Sequence, residues 1–285
     1  MNTSFVRVNS TDGIELDGLI YTPNEPTNKV IIHVFGLNGN FYENRFLDYL
    51  ADTYTKKGYA FLTINNRGKE YFSDFVKNGE SVLIGGSLER FEECVYDIDG
   101  AVKWCEENNY NEIILQGHSY GCNKVLYYYD KVKNSNIKKI ILLGPCDIMA
   151  EVIRCYTPLD YESIKEEALR LVNDGKDEEL IRCDFMSTGK VGAKTYLDFL
   201  PNSPADFIRY REGEDSRSEL LNKIDIPVLS IFGDIDECVL TRPIEEVLKY
   251  LNNNFKNINN QVISGANHSF ADKYNELVEV INNNL

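Results

Sequence analysis

Residues 112–131 read EIILQGHSYGCNKVLYYYDK, and this stretch decides the fold. Its first five residues form a short apolar run rich in β-branched side chains, the pattern of a strand buried on both faces of a parallel sheet. Residues 120–131 carry apolar side chains at helical spacing. Between the two lies Gly117-His118-Ser119-Tyr120-Gly121, a G-x-S-x-G turn in its strand–turn–helix setting. A serine on so tight a turn projects its hydroxyl above the sheet edge. Side chains at 117 and 121 would clash with the neighbouring strand and helix, which is why both positions favour glycine. The helix that follows aims free N–H groups and its positive dipole end at any charge developing near Ser119.

Working outward, the same apolar signature recurs at 29–35 (KVIIHVF), 59–64, 138–143 and 226–232, with a weaker run at 258–263. Helical patterns fall between these runs, near 44–57, 89–108, 242–252 and 270–281. Ahead of them, 4–8 and 14–22 read as two strands around Asp12-Gly13, a hairpin turn signal. Alternating strands and helices imply right-handed crossovers and an α/β fold, a mostly parallel central sheet flanked by helices on both faces. One stretch breaks the alternation. Residues 147–222 show helical patterns at 161–173 and near 194–199 and 203–210, but no buried strand. They read as a helical insertion before the strand at 226–232. The expected organisation is therefore a core of 1–146 plus 223–285 with a cap at 147–222. Aromatic residues recur in the insertion, and among them Phe185, Tyr196 and Phe199 are candidate ligand contacts.

Composition mainly excludes. The net charge of −15 argues against a nucleic-acid binder or a protein held on anionic membranes, both of which need basic patches. The cysteine count is odd and no C-x-x-C pair occurs, so neither a disulfide framework nor a zinc site is visible. No metal ligand cluster or cofactor motif stands out. The Gly85-Gly86-Ser87 loop lacks the lysine and spacing of a phosphate cradle. The N-terminal residues lack the basic and apolar regions of a signal peptide, and no apolar run approaches a membrane span. A soluble, cytoplasmic protein is expected.

With the elbow in place, the chain resembles the α/β-hydrolase superfamily over nearly its whole length, and among its members the small cytoplasmic serine esterases. That resemblance implies a nucleophile, an acid and a base in that chain order. Ser119 is the implied nucleophile. The acid is expected after the strand at 226–232, where Phe232-Gly233-Asp234-Ile235-Asp236-Glu237-Cys238-Val239 is similar to the family's G-x-x-D-x-x-V and points to Asp236. Asp234 and Glu237 are local competitors. The base is expected in Gly265-Ala266-Asn267-His268, which resembles the family's loop before the final helix. The chain has three histidines, His33, His118 and His268, and only His268 follows the acid.

The implied oxyanion hole takes one N–H from Tyr120 and one from the segment Phe35-Gly36-Leu37, with Leu37 the candidate donor. Many relatives have His-Gly where Phe35-Gly36 stands, so this chain departs from the pattern, and its register here is open between these residues. Phe35, Gly36 and His118 are further candidates for the pocket wall. His33 reads as the end of a buried strand. Arg67, in Asn66-Arg67-Gly68, reads as a brace for loops through carbonyl groups, with binding of a substrate carboxylate as the alternative.

The resemblance implies hydrolysis of a small to medium carboxylic ester through an acyl-enzyme, without metal or organic cofactor. The aromatic content of 147–222 fits an apolar or aromatic acyl group, cinnamoyl-type for example. The alternatives are a thioesterase or acyltransferase with the same triad, a small serine aminopeptidase using Glu162, Glu166 or Glu167 to hold an amine, and a non-catalytic binding protein on the same fold.

Overall fold

Strand β3 (Lys29–Val34) lies at the centre, and its side chains alternate between two apolar layers. Val30, Ile32 and Val34 join one core cluster and Ile31 the other, so the period of two explains why a continuous apolar run is needed here. The computed structural model describes residues 1–181, 189–238 and 240–285. Around β3 it arranges β1 (Asn2–Asn9), β2 (Glu15–Thr22), β4 (Ala60–Ile64), β7 (Glu112–His118), β8 (Ile137–Leu143), β9 (Val228–Gly233) and β10 (Ile258–Ile263) into one sheet. The spatial order is β1-β2-β4-β3-β7-β8-β9-β10. All neighbours from β4 to β10 pair in parallel, while β2 runs antiparallel to both β1 and β4. Strand β9 begins two residues later than its apolar run suggests, because Pro227 has no N–H for the ladder.

Helices α1 (Phe46–Lys56) and α8 (Tyr274–Asn284) cover one face. Helices α2 (Cys94–Glu107), α3 (Tyr120–Val132) and α7 (Ile244–Asn254) cover the other. A small hairpin, β5 (Asp74–Lys77) and β6 (Glu80–Leu83), stands outside the sheet and has no counterpart in the sequence reading.

Between β8 and β9 the chain makes a helical excursion. It holds α4 (Ile148–Arg154), α5 (Pro158–Asn173) and α6 (Ala193–Leu197), while 203–210, expected to be helical, forms turns that lead into a short 3₁₀ segment, Tyr210–Glu212. Tyr196, Phe199, Phe207 and Tyr210 are buried in the same cluster as the α2–α3 face of the sheet. The excursion therefore has no separate core among the described residues.

Candidate active site

Every strand that carries a candidate group ends at the same edge of the sheet, because the strands concerned are parallel. Ser119 caps the N-terminus of α3 at φ 57° and ψ −129°, a left-handed conformation that a serine adopts only when its surroundings hold it there. The Ser119 N–H donates to the Leu143 carbonyl at 2.9 Å, which ties the turn to the end of β8. The two flanking glycines are required sterically. A Cβ on Gly117 would lie 2.5 Å from the Gly121 carbonyl oxygen, and one on Gly121 would lie 2.2 Å from the Val34 carbonyl oxygen.

The loop after β9 supplies Asp236 and the loop after β10 supplies His268. The His268 Nδ1 lies 3.0 and 2.9 Å from the two carboxylate oxygens of Asp236. Asp236 is 1% exposed and also accepts the Cys238 N–H at 3.0 Å. Asp234 has a different task. Its carboxylate accepts the Ser264 hydroxyl at 2.9 Å and the Gly265 N–H at 2.6 Å, which pins the loop leading to His268. Glu237 is exposed. Of the three acids, it is Asp236 that meets the imidazole.

Ser119 and His268 line one cleft of about 210 Å³, together with Phe35, Gly36, Leu37 and His118. The loop carrying Gly36 presses on the elbow: a Cβ there would come within 2.9 Å of Ser119 Cβ and 3.1 Å of the Tyr120 nitrogen. Among the described residues, neither the Leu37 nor the Tyr120 N–H donates to a backbone or side-chain acceptor, so both are available to an oxygen in the cleft.

His118 is 7% exposed, and its Nε2 donates to the His268 carbonyl at 2.9 Å, since a carbonyl can only accept. Its ring stands 4.9 Å from that of His268. Burial and then repulsion from His268 lower its pKa to about 3, so the ring stays neutral near neutrality.

Some expected residues stand elsewhere. Tyr196 and Phe199 do not line the cleft. Both are buried in the core, Phe199 with its ring 5.1 Å from that of Tyr120. Their aromatic surface is consumed in joining the excursion to the sheet face. Phe185 lies outside the described residues. Glu162 and Glu166 are exposed on α5, and neither they nor Glu167 line the cleft. His33 is fully buried with Nδ1 2.7 Å from Gln116 Nε2, and burial holds its pKa well below the usual histidine value. Arg67 is also fully buried, but its partners are carboxylates rather than carbonyls: Asp97, Asp12 and Glu93, each at 2.7 Å. It ties its own loop to the β1–β2 turn and to the start of α2, and does not reach the cleft. The backbone N–H groups of Gly85, Gly86 and Ser87 donate to Arg67, Glu70 and Tyr71 carbonyls, so that loop cradles the chain itself.

The sequence reading missed several wall residues. Cys146, Ile148 and Glu151, at the start of the excursion, line the cleft, as does Cys238. Glu151 is held by Arg154 Nη2 at 2.8 and 2.6 Å. Helix α4, which carries it, is fixed by Asp147, whose side chain caps Ala150 N–H and accepts from the Arg211 backbone and guanidinium. Gly144, at φ 54°, was also missed. A Cβ on it would stand 3.2 Å from Asp236 Oδ2 and 3.3 Å from His268 Nδ1, so glycine leaves the space that the pair occupies.

The chain belongs to the alpha/beta hydrolase fold family, whose model matches residues 30–189. It is similar in fold to Est1E from Butyrivibrio proteoclasticus, solved with ferulic acid bound, at 20% identity and a TM-score of 0.64 over 98% of this chain and 96% of that one. It is also similar to the esterase Pf2001 from Pyrococcus furiosus (16% identity, TM-score 0.63, 99% and 90% covered). A third similar structure is the alpha/beta hydrolase GrgF from Penicillium sp. sh18 (16% identity, TM-score 0.69, 99% and 96% covered). Among curated proteins, none matches the chain. No helix among the described residues is long and apolar enough to cross a membrane.

Proposed function

We propose that this protein is a serine hydrolase that cleaves small to medium carboxylic esters through an acyl-enzyme. The observation that carries the reading is the His268 Nδ1 held on both oxygens of a buried Asp236, in the same cleft as a serine at φ 57°. Ser119 Oγ attacks the carbonyl carbon while His268 Nε2 takes its proton. Asp236 keeps the Nδ1 proton in place and stabilises the imidazolium. The Tyr120 and Leu37 N–H groups receive the oxyanion. His268 returns the proton to the leaving alcohol, and water repeats the cycle on the acyl-enzyme.

Residues 147–222 act as the cap of this site, with Ile148 and Glu151 as its contribution to the wall. An apolar or aromatic acyl group, cinnamoyl-type for example, suits a wall built of Phe35, Leu37 and Ile148. That Est1E was solved with ferulic acid bound lends this class of acyl group support. A second reading, a serine aminopeptidase, draws on Glu151 as an acid in the cleft. Its carboxylate is already held by Arg154, which favours the ester reading. Turnover of aminoacyl-anilides against p-nitrophenyl esters separates the two.

Labelling with a fluorophosphonate probe followed by peptide mapping tests the site. Modification is expected at Ser119 and is expected to vanish in Ser119→Ala and in His268→Ala. Labelling at another residue, or none in folded protein, would overturn the assignment.

A further inference from the structure

Along the chain His268 lies far from Asp236 and Cys238, and the fold brings the three together. Asp236 and Cys238 sit two positions apart on the loop after β9, and the parallel pairing of β9 with β10 brings His268 beside them. Among the described residues, these three are the one group of three or more His, Cys, Asp or Glu side chains whose donor atoms all lie within 4.8 Å of one another. Cys238 and His268 both face the cleft, so the cluster is reached from solvent.

The donor set is one sulfur, one imidazole nitrogen and one carboxylate oxygen. Zinc takes all three types, with bonds of about 2.0–2.3 Å, and in a tetrahedral set its donors lie roughly 3.3–3.8 Å apart. Donors already within 4.8 Å need only small side-chain rotations to close on such an ion. Three protein ligands leave the fourth position to a water from the cleft. Calcium and magnesium demand oxygen donors and are excluded by the sulfur and nitrogen.

We propose that Asp236, Cys238 and His268 form an inhibitory site for zinc and similar thiophilic divalent cations. On binding, the Cys238 thiol gives its proton to solvent and its sulfur joins the metal. Asp236 supplies an anionic oxygen, and His268 changes tautomer, its Nδ1 proton leaving to solvent while Nε2 takes one up, so that the Nδ1 lone pair joins the metal. With Asp236 and His268 engaged by the ion, the pair no longer serves Ser119, and turnover stops until a chelator removes the metal. The inhibition rests on the function proposed above, whereas the binding does not.

Cobalt(II) is the probe for binding, because a cobalt–thiolate bond gives a near-ultraviolet charge-transfer band. The full-length protein is expected to show this band. Ser119→Ala, which cannot turn over ester, and Cys155→Ser, which removes an exposed thiol, should both keep it. Cys238→Ser and Cys238→Ala should both lose it. In parallel, zinc titrated against hydrolysis of p-nitrophenyl acetate should inhibit the wild type, and EDTA should restore the rate. Each rate is taken relative to the same protein without metal. On that scale the inhibitory zinc concentration should rise about tenfold or more in both Cys238 variants. A band that survives both Cys238 substitutions, its absence from the wild type, or equal zinc sensitivity with and without Cys238 would overturn the proposal. A wild type that shows the band yet hydrolyses no ester would instead overturn the functional reading and leave the site standing.

Discussion

Two aspartates two positions apart divide the support of one histidine. Asp236 touches the imidazole, whereas Asp234 holds the backbone of the loop that delivers it. Asp236→Asn is expected to lower kcat by about three to four orders of magnitude, because an amide cannot stabilise the imidazolium and favours the wrong tautomer. Asp234→Asn keeps an acceptor oxygen and should cost less than about tenfold. Steady-state kinetics on a p-nitrophenyl ester check both, and the reverse order would move the acid to Asp234.

His118 gives a prediction about stability. Its folded-state pKa of about 3 lies below the value of about 6.5 in an unfolded chain. As the pH falls through that interval, the unfolded state binds a proton that the folded state does not. Stability therefore declines with falling pH, by up to about 1.4 kcal/mol per unit, and His33 adds a slope of the same sign. His118→Gln keeps a donor for the His268 carbonyl but cannot titrate. Urea melts between pH 4.5 and 6.5 should show a shallower pH dependence in this variant. An identical slope would show that His118 is not buried neutral.

Among the elements, the elbow depends on backbone proximity. Gly121 brings α3 against the end of β3, and a methyl group there meets the Val34 carbonyl. Gly121→Ala should destabilise the protein by about 3 kcal/mol or more, or prevent folding, as followed by urea denaturation. This element was legible in the sequence because local signals agree: a β-branched run, glycines two residues either side of a serine, then helical spacing.

The hairpin Asp74–Lys77 and Glu80–Leu83 was not read, although Asn78-Gly79 is a two-residue turn signal. Its strands are four residues long and carry exposed Val76 and Leu83, so their alternation is faint. The pairing of Asp236 with His268 was legible through the family pattern and the shortage of histidines. The cleft wall was not. A tyrosine or phenylalanine looks the same in a sequence whether it faces a ligand or a neighbouring helix, and Tyr196 and Phe199 face the core. Cys146, Glu151 and Cys238 gave no signal because their proximity to Ser119 is a product of the fold.

Across the molecule, charge and cleft chemistry point the same way. The net charge is −15, Glu151 lines the cleft, and among the described residues no Lys or Arg does. Neutral esters should therefore be turned over with higher kcat/KM than esters of equal size with an anionic acyl group. A p-nitrophenyl butyrate and hemisuccinate pair tests this. The handicap of the hemisuccinate should shrink as salt rises to about 0.5 M. A salt-independent ratio would indicate steric rather than electrostatic selection.

The shared core of sheet and excursion bears on how this protein can be altered. Tyr196, Phe199 and Phe207 are packed in one cluster with Phe91, Tyr120 and Tyr127, with ring pairs such as Tyr120–Phe199 and Tyr127–Phe207 crossing between them. The segment between β8 and β9 is consequently not an interchangeable part. Splicing in the equivalent segment of another hydrolase, or deleting this one to open the cleft, would strip α2 and α3 of their covering and leave large rings in water. Any graft has to carry its matching sheet-facing surface with it.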